Sequence, residues 1–152
     1  MQKIKAVAEN LNYTAINIGR LDELTEHSLI HPKLDTRIEG KVFLKEATKA
    51  TGSEISFQIL PPESEVGYFH VHDQNEETYI ILKGTGEFQV DEDCFQVVEG
   101  SVIRVSPAGK RCLKNMSDTP MIYMVVQVKE HSLKQWSTDD GRRVNNEAKW
   151  SK

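Results

Sequence analysis

The chain of 152 residues has a formal net charge of -4 at pH 7, with 38% hydrophobic and 28% charged residues. This composition is typical of a globular protein, and the length suits one domain with its own hydrophobic core. The acidic balance argues against a nucleic-acid-binding face, and no apolar run is long enough to cross a membrane. The first residues lack the apolar core of a signal peptide. We therefore expect a cytoplasmic protein in which Cys94 and Cys112 are reduced thiols, with a bridge between them as the alternative.

The first part of the chain mixes short apolar pieces with polar turns. Residues 19–30, "GRLDELTEHSLI", are predicted as a short helix because Leu21, Leu24 and Leu29 are spaced for one face. Residues 40–48, "GKVFLKEAT", are predicted as a strand that ends in a turn. His27 and His31 are predicted as loop or surface histidines, since the proline after His31 disfavours a continuous helix there.

Residues 53–128 have the pattern of a β protein. In "SEISFQIL" the alternation places Ile55, Phe57 and Ile59 on one face, and two prolines end the strand. Five further short segments are rich in β-branched and aromatic residues: "ETYIIL", "GEFQV", "CFQVV", "SVIRVS" and "MIYMVVQV". Turn-type sequences separate them. This regular spacing predicts an all-β barrel or sandwich, with Tyr79, Phe88 and Phe57 lining its interior.

The last part of the chain, residues 129–152, is polar. Trp136 is predicted as its main apolar anchor, and the final residues are expected to be poorly ordered unless they dock on a partner.

Two histidines one residue apart, His70 and His72, are the strongest candidates for chemistry. Residues two apart on a strand face the same way, so both imidazoles project to one side. If the next strand pairs antiparallel, Glu77 faces the same interior, whereas Glu76 points to the opposite face and is solvated. Two imidazoles and one carboxylate form a ligand set that iron, manganese, nickel, cobalt and zinc accept. A chance pair of exposed histidines is the alternative interpretation.

The longer pattern resembles the cupin superfamily, whose first motif is G-x5-H-x-H-x(3,4)-E-x6-G. The stretch "HVHDQNEETYIILKG" matches it from His70 to Gly84, although Ser64 stands where the motif begins with glycine. The second cupin motif, G-x5-P-x-G-x2-H-x3-N, resembles "GSVIRVSPAGKRCLKN", residues 100–115. Here six residues separate the first glycine from the proline, the motif is one residue short, and its histidine is missing.

The missing histidine leaves two candidates for the fourth position of the site. Counting forward from Gly109 puts Cys112 there, and counting back from Asn115 puts Arg111 there. An inward Cys112 also turns Lys114 inward, which is costly for an unpaired ammonium. An inward Arg111 buries Leu113 instead, and this arrangement is favoured. Cys112 could be a fourth ligand, whereas Arg111 could bind a substrate carboxylate or phosphate.

The resemblance implies an all-β double-stranded β-helix, or jelly-roll, barrel. We expect a single cupin domain, with the core barrel at about 40–128, an N-terminal extension at 1–39 that adds strands to the sheet or to a dimer neighbour, and a C-terminal tail at 129–152. It also implies a metal inside the barrel mouth and a homodimer. The predicted metal ligands are His70, His72 and Glu77, with Cys112 as the possible fourth. Arg111 and Tyr79 are the predicted substrate-binding residues.

Three functional hypotheses follow from these residues. The first is an enzyme that uses one divalent metal (iron, manganese, nickel or zinc) to act on a small anionic metabolite. The second is a non-catalytic module that binds a sugar or metabolite. The third is a protein with a vestigial site, in which the metal is lost and Arg111 pairs with Glu77. Fold alone does not choose among them.

Overall fold

The protein consists mainly of β-strands. The structure, a computed structural model, describes residues 4–30, 35–135 and 137–150. His31 and Trp136, for which the sequence predicts a loop position and an apolar anchor, lie outside the described residues. The strands are β1 (Lys5–Asn10), β2 (Tyr13–Asn17), β3 (Ser28–Ile30), β4 (Arg37–Glu39), β5 (Lys41–Phe43), β6 (Glu54–Leu60), β7 (Asn75–Lys83), β8 (Thr85–Val90), β9 (Asp93–Val98), β10 (Val102–Val105), β11 (Arg111–Asn115) and β12 (Met121–Lys129). A 3-10 helix spans Leu21–Glu26, and short α-helices span Lys45–Thr48 (α1) and Ser137–Asp140 (α2).

Two antiparallel sheets form the barrel. One has the strand order β10-β7-β12-β6-β5, and the other has the order β11-β8-β9. Alternate residues of each strand point between the sheets, as in β7, where Glu77, Tyr79 and Ile81 are buried. The apolar core draws on both sheets and contains Leu60, Tyr79, Ile81, Phe88, Val97, Val105, Leu113, Met121, Tyr123 and Val125. This architecture confirms the predicted all-β jelly roll.

The outer face of the larger sheet has a second apolar cluster. Leu24 of the 3-10 helix is fully buried against Val42, Ile59 and Ile122. Phe57 packs against this cluster, so the prediction that Phe57 lines the barrel interior is wrong. Strand β6 is covered on both faces, and alternation alone cannot say which face is inside.

His27 follows the 3-10 helix and is 5% exposed, so the prediction of a surface position is wrong. Its Nε2 lies 2.8 Å from the carbonyl oxygen of Ile18, a contact that ties the N-terminal extension together. His27 therefore has a structural hydrogen bond and takes no part in the His70, His72 and Glu77 cluster.

The N-terminal strands form hairpins of their own. In the part of the chain that the structure describes, β1 pairs with β2 and β3 pairs with β4 in separate two-stranded sheets. Strand β5, which joins the edge of the barrel sheet beside β6, belongs to the predicted core barrel, and none of the described strands β1 to β4 of the extension joins that sheet. Pairing of the extension with a second subunit stays a prediction, as do the domain boundaries.

The two cysteines lie on different strands of the smaller sheet. Cys112 on β11 and Cys94 on β9 both pair with Gln89 on the strand between them. Two strand spacings separate them by roughly 10 Å, whereas a disulfide needs Cα atoms closer than about 7 Å. Both thiols are free, which agrees with the predicted reduced state and excludes a bridge within this arrangement.

Two glycines of the motifs lie in turns whose backbone conformation is unfavourable for other residues. Gly84, between β7 and β8, has φ of 93°, and a Cβ there would lie 3.0 Å from the Cα of Met121. Gly100, before β10, has φ of 87°. Both are left-handed positions at which glycine avoids strain. No helix among the described residues is long and apolar enough to cross a membrane.

Candidate metal centre at the barrel mouth

The two histidines lie on an extended segment that precedes β7. The sequence predicted a strand, but the segment makes only isolated bridges, Glu65 to Lys114 and His70 to Arg111. The backbone N–H of His72 donates to the carbonyl of Pro107, at 2.9 Å, and the N–H of Arg111 donates to the carbonyl of His70, at 3.2 Å. The residues of the second motif therefore hold the histidines of the first motif in place.

Glu77 brings a carboxylate to both imidazoles. It is 7% exposed and is the third residue of β7. Its Oε1 lies 3.2 Å from Nε2 of His72, and its Oε2 lies 3.5 Å from Nε2 of His70. One ligand atom from each of the three residues can be chosen so that all lie within 4.8 Å of one another. His70, His72 and Glu77 thus form a group that could hold a metal ion.

A hydrogen-bond network fixes the orientation of the Glu77 carboxylate. The hydroxyl of Tyr79 donates to Oε2 at 2.7 Å. The side-chain amide of Gln127 donates to Oε1 at 3.3 Å and lies 3.2 Å from Nε2 of His72. Nδ1 of His70 is buried and has no hydrogen-bond partner among the described residues. Both oxygens of Glu77 have donors, whereas His70 retains one unpaired nitrogen.

The charge states of the cluster follow from its surroundings. Burial by itself would raise the pKa of Glu77, but hydrogen bonds from His70 and Tyr79, and the charge of the imidazoles, lower it to about 2. Burial, together with the positive charges of Arg111 and His70, lowers the pKa of His72, and Glu77 opposes this only in part. At neutral pH, Glu77 is therefore ionised and His72 is neutral.

The fourth corner of the site is occupied by Arg111. Its side chain is 1% exposed, and along β11 the residues Arg111, Leu113 and Asn115 are buried while Lys114 is exposed. Nε of Arg111 lies 3.3 Å from Oε2 of Glu77, outside hydrogen-bond geometry. Cys112 faces the other way, and its thiol donates to the carbonyl of Val66 at 2.9 Å. Cys112 is therefore not turned toward the cluster.

Arg111 uses its other donors on backbone carbonyls. Nη1 donates to His70 at 3.2 Å and to Pro107 at 3.4 Å, and Nη2 donates to Ser106 at 3.3 Å. The guanidinium thus links the histidine segment, the turn before β11 and Glu77. A positive charge at this position stabilises the ionised carboxylate when no metal is present.

A pocket of about 390 Å³ opens at the barrel mouth beside the cluster. We call it the mouth pocket, and its lining residues are Lys41, Phe43, Glu54, Ser56, Tyr68, His70, Val71, His72, Glu77, Val125 and Gln127. Neither Arg111 nor Tyr79 is among them. Tyr79 is 6% exposed, its ring packs edge-on against Phe88, and it contacts the site only through its hydrogen bond to Glu77. Substrate contact by Arg111 and Tyr79 is therefore not supported by this geometry.

Sequence reasoning missed four polar residues of the mouth pocket: Lys41, Glu54, Ser56 and Gln127. Gln127 pairs with Glu77 on one side and with Glu54 on the other, which places it at the centre of the polar wall. The sequence did contain a signal for Gln127, because this polar residue stands at an inward position of the otherwise apolar strand β12. No comparable signal marked Lys41, because its neighbours depend on the pairing of β5 with β6.

Asn115 of the second motif is fully buried and supports the opposite end of β11. Its amide donates to the carbonyls of Leu60, Pro61 and Thr119, at 3.2, 2.9 and 2.8 Å. Its oxygen accepts from the backbone N–H of Ser117 at 3.0 Å. This asparagine therefore has a structural role in the turn between β11 and β12.

Comparison with known proteins agrees with this fold. The Cupin domain model matches residues 56–127. The crystal structure of a cupin protein from Bacteroides fragilis is 35% identical with a TM-score of 0.67, and the match covers 69% of this chain and 89% of that one.

Two more distant relatives match the same barrel. A predicted oxalate decarboxylase from Thermotoga maritima is 26% identical with a TM-score of 0.54, over 62% of this chain and 82% of that one. Uncharacterized protein MJ1618 of Methanocaldococcus jannaschii is 27% identical over 99 residues, which are 64% of this chain and 78% of that protein. With the barrel, both motifs and the Bacteroides fragilis structure in agreement, the chain belongs to the cupin family.

Proposed function

We propose that this cupin binds one divalent transition metal through His70, His72 and Glu77 and binds a small anionic metabolite beside it. The observation that carries the proposal is the approach of three ligand atoms to within 4.8 Å of one another at the wall of an open pocket. Such a bound metal would polarise an oxygen atom of the metabolite.

The protonation states of the cluster support metal binding. A metal ligand must be deprotonated, so carboxylate and neutral imidazole are the required forms. The low pKa of Glu77 and the lowered pKa of His72 provide these forms at neutral pH without a proton having to be displaced. Two nitrogen donors and one oxygen donor, with no sulfur, suit iron, manganese, nickel or zinc.

The charge balance supports an anionic ligand. The charged residues in or beside the mouth pocket are Lys41 and Arg111 on the positive side and Glu54 and Glu77 on the negative side. These four charges cancel, so a divalent cation leaves the region with an excess of about two positive charges. A bound anion offsets this excess in a partly buried site. The predicted oxalate decarboxylase of Thermotoga maritima also acts on an acid by its name.

A metal-free protein is the second candidate, and the contact between Arg111 and Glu77 favours it. The guanidinium already neutralises the carboxylate at 3.3 Å and opposes the approach of another cation. In this case the barrel would bind its ligand without metal, or the site would be vestigial.

Metal analysis of untagged protein separates the two candidates. Protein produced in medium supplemented with iron, manganese, nickel and zinc is expected to contain close to one metal per chain. His70→Ala and Glu77→Gln should reduce this content to background, whereas Cys112→Ser should leave it unchanged because the thiol faces away. Metal-free wild-type protein under all four conditions contradicts the proposed metal function.

A homodimer and a cytoplasmic location stay predictions from the sequence. Light scattering of the purified protein at two concentrations tests the dimer.

A further inference from the structure

The mouth pocket has a second polar wall that the metal cluster does not use. Lys41 and Ser56 lie on β5 and β6, across the pocket from the histidines, and both line it. In the sheet, Lys41 is opposite Gln58 and Ser56 is opposite Phe43, so the two are diagonal neighbours on one face. Their Cα atoms are therefore about 7–8 Å apart, within reach of a common ligand.

Lys41 is a partly buried cation without a counter-ion. It makes no ion pair with any carboxylate of the described residues, and its Nζ lies 5.0 Å from the centroid of the Phe43 ring. Burial lowers the pKa of Lys41, an effect that Glu77 only partly opposes. An ammonium placed in this way gains an interaction when an anion enters the pocket.

Ser56 has an unused hydroxyl. The residue is 4% exposed, and its side chain has no hydrogen-bond partner among the residues that the structure describes. Ser56 lines the mouth pocket, and a pocket-lining hydroxyl without a protein partner is available to a ligand. Glu54, the other charged residue on this wall, is already engaged, since its Oε1 accepts the backbone N–H groups of Leu44 and Lys45 at 3.1 and 2.8 Å.

We propose that Lys41 and Ser56 form a carboxylate-binding subsite, and that the ligand of this protein is a small dicarboxylic acid that spans the pocket. One carboxylate accepts hydrogen bonds from Nζ of Lys41 and Oγ of Ser56. The other end of the acid lies toward His70, His72 and Glu77. This inference rests on the proposed function for the second end only, because the Lys41 and Ser56 end needs no metal.

The distance between strands β6 and β7 sets the length of a ligand that can span the pocket. β6 and β7 lie on either side of β12, so their backbones are separated by about 10 Å. Side chains from both walls shorten this gap. A chain of three to five carbon atoms with a carboxylate at each end fits such a span, as does the pocket volume of about 390 Å³.

Calorimetric titration with malonate, succinate and glutarate tests the subsite in metal-loaded and chelator-treated protein. At least one of these acids is expected to bind the wild type, and the neutral diamide of that acid is expected to bind at least about tenfold more weakly. Lys41→Met should weaken binding of the acid by about tenfold or more, and Lys41→Arg should restore part of it. Ser56→Ala should weaken binding by about threefold to tenfold.

Lys129→Met is the matched control, because Lys129 is exposed at the end of β12. It should leave the affinity unchanged. Lys41→Met is expected to fold normally, since it removes a partly buried charge. Its circular dichroism spectrum and its metal content should equal those of the wild type, whereas His70→Ala should lose metal.

The outcomes distinguish this inference from the proposed function. If none of the three acids binds the wild type, or if Lys41→Met binds them as tightly as the wild type does, the subsite is overturned while metal content still tests the cluster. If metal is absent but the acids bind in a manner that depends on Lys41, the subsite stands and the metal function fails.

Discussion

At both ends of the barrel every second residue of a strand points inward, but these inward residues are apolar at one end and polar at the other. At the closed end, the inward residues of β7, β8 and β12 are apolar, and Ile81, Phe88 and Met121 are at most 1% exposed. At the open end, four residues before Ile81 on β7, the inward residue is Glu77, which is ionised and accepts hydrogen bonds from Tyr79 and Gln127. The closed end stabilises the fold, whereas the open end holds the Glu77 carboxylate through its donors Tyr79 and Gln127 and leaves Nδ1 of His70 unpaired among the described residues. The strand periodicity therefore determines which side chains point inward, whereas the position along the barrel axis determines whether an inward side chain is apolar or polar.

Phe88→Ala tests the closed end and should have the largest effect on stability. Removing a fully buried ring leaves a cavity and should lower the free energy of unfolding by about 4 kcal/mol. Val98→Ala, at a half-exposed position of β9, should change it by less than about 0.5 kcal/mol. Urea unfolding measures both. The metal content of folded Phe88→Ala protein should match the wild type, and its loss would show that the two ends are not independent.

Arg111→Met tests the link between the two ends. It removes the buried positive charge 3.3 Å from the carboxylate of Glu77 and the side-chain hydrogen bond to the carbonyl of His70, and should lower the free energy of unfolding by about 3 kcal/mol. Arg104→Met is the control, because Arg104 is half exposed and pairs with Glu76 and Glu130 on the outer face, so a much smaller loss of stability is expected. Competition with a chelator should also show tighter metal binding in folded Arg111→Met, since a positive charge beside the cluster is removed. Weaker metal binding in the folded variant would instead assign Arg111 a part in holding the ligands.

The charge of Glu77 at the open end should make the stability of the protein depend on pH. The pKa of Glu77 is about 2 in the folded protein and 4.5 for the free side chain, which represents the unfolded chain. Between these two pH values the folded state therefore binds fewer protons than the unfolded state. Its stabilising contribution is therefore complete above pH 4.5 and is lost as the pH falls toward 2. Because one pKa unit corresponds to about 1.4 kcal/mol, the loss is on the order of 3 kcal/mol.

Urea unfolding of metal-free protein at a series of pH values measures this effect against Glu77→Gln. The variant should lack this part of the acid dependence while keeping that of the remaining carboxylates. Parallel curves for the two proteins would contradict the low pKa of Glu77. Tyr79 should remain a proton donor throughout, because burial and the nearby charge of Glu77 raise its pKa.

Local patterns allowed much of the site to be predicted. The period of two along β7 and β11 placed Glu77 inward and favoured Arg111 over Cys112 as the inward residue, because Lys114 would otherwise be buried. The turn glycines at 84 and 100 and the alternating strands predicted the barrel. Each of these features depends on residues close together in the sequence.

What the amino-acid sequence determined by itself was therefore the strand periodicity, the donor residues His70, His72 and Glu77, and the loss of the histidine at the fourth corner. The tertiary structure decided which groups meet. It placed Phe57 outside, buried His27, directed Arg111 toward backbone carbonyls and brought Lys41 and Ser56 to the pocket wall. The physical reason is that these contacts depend on which strands pair and which face of a doubly covered sheet is inside, and neither is specified by short-range periodicity.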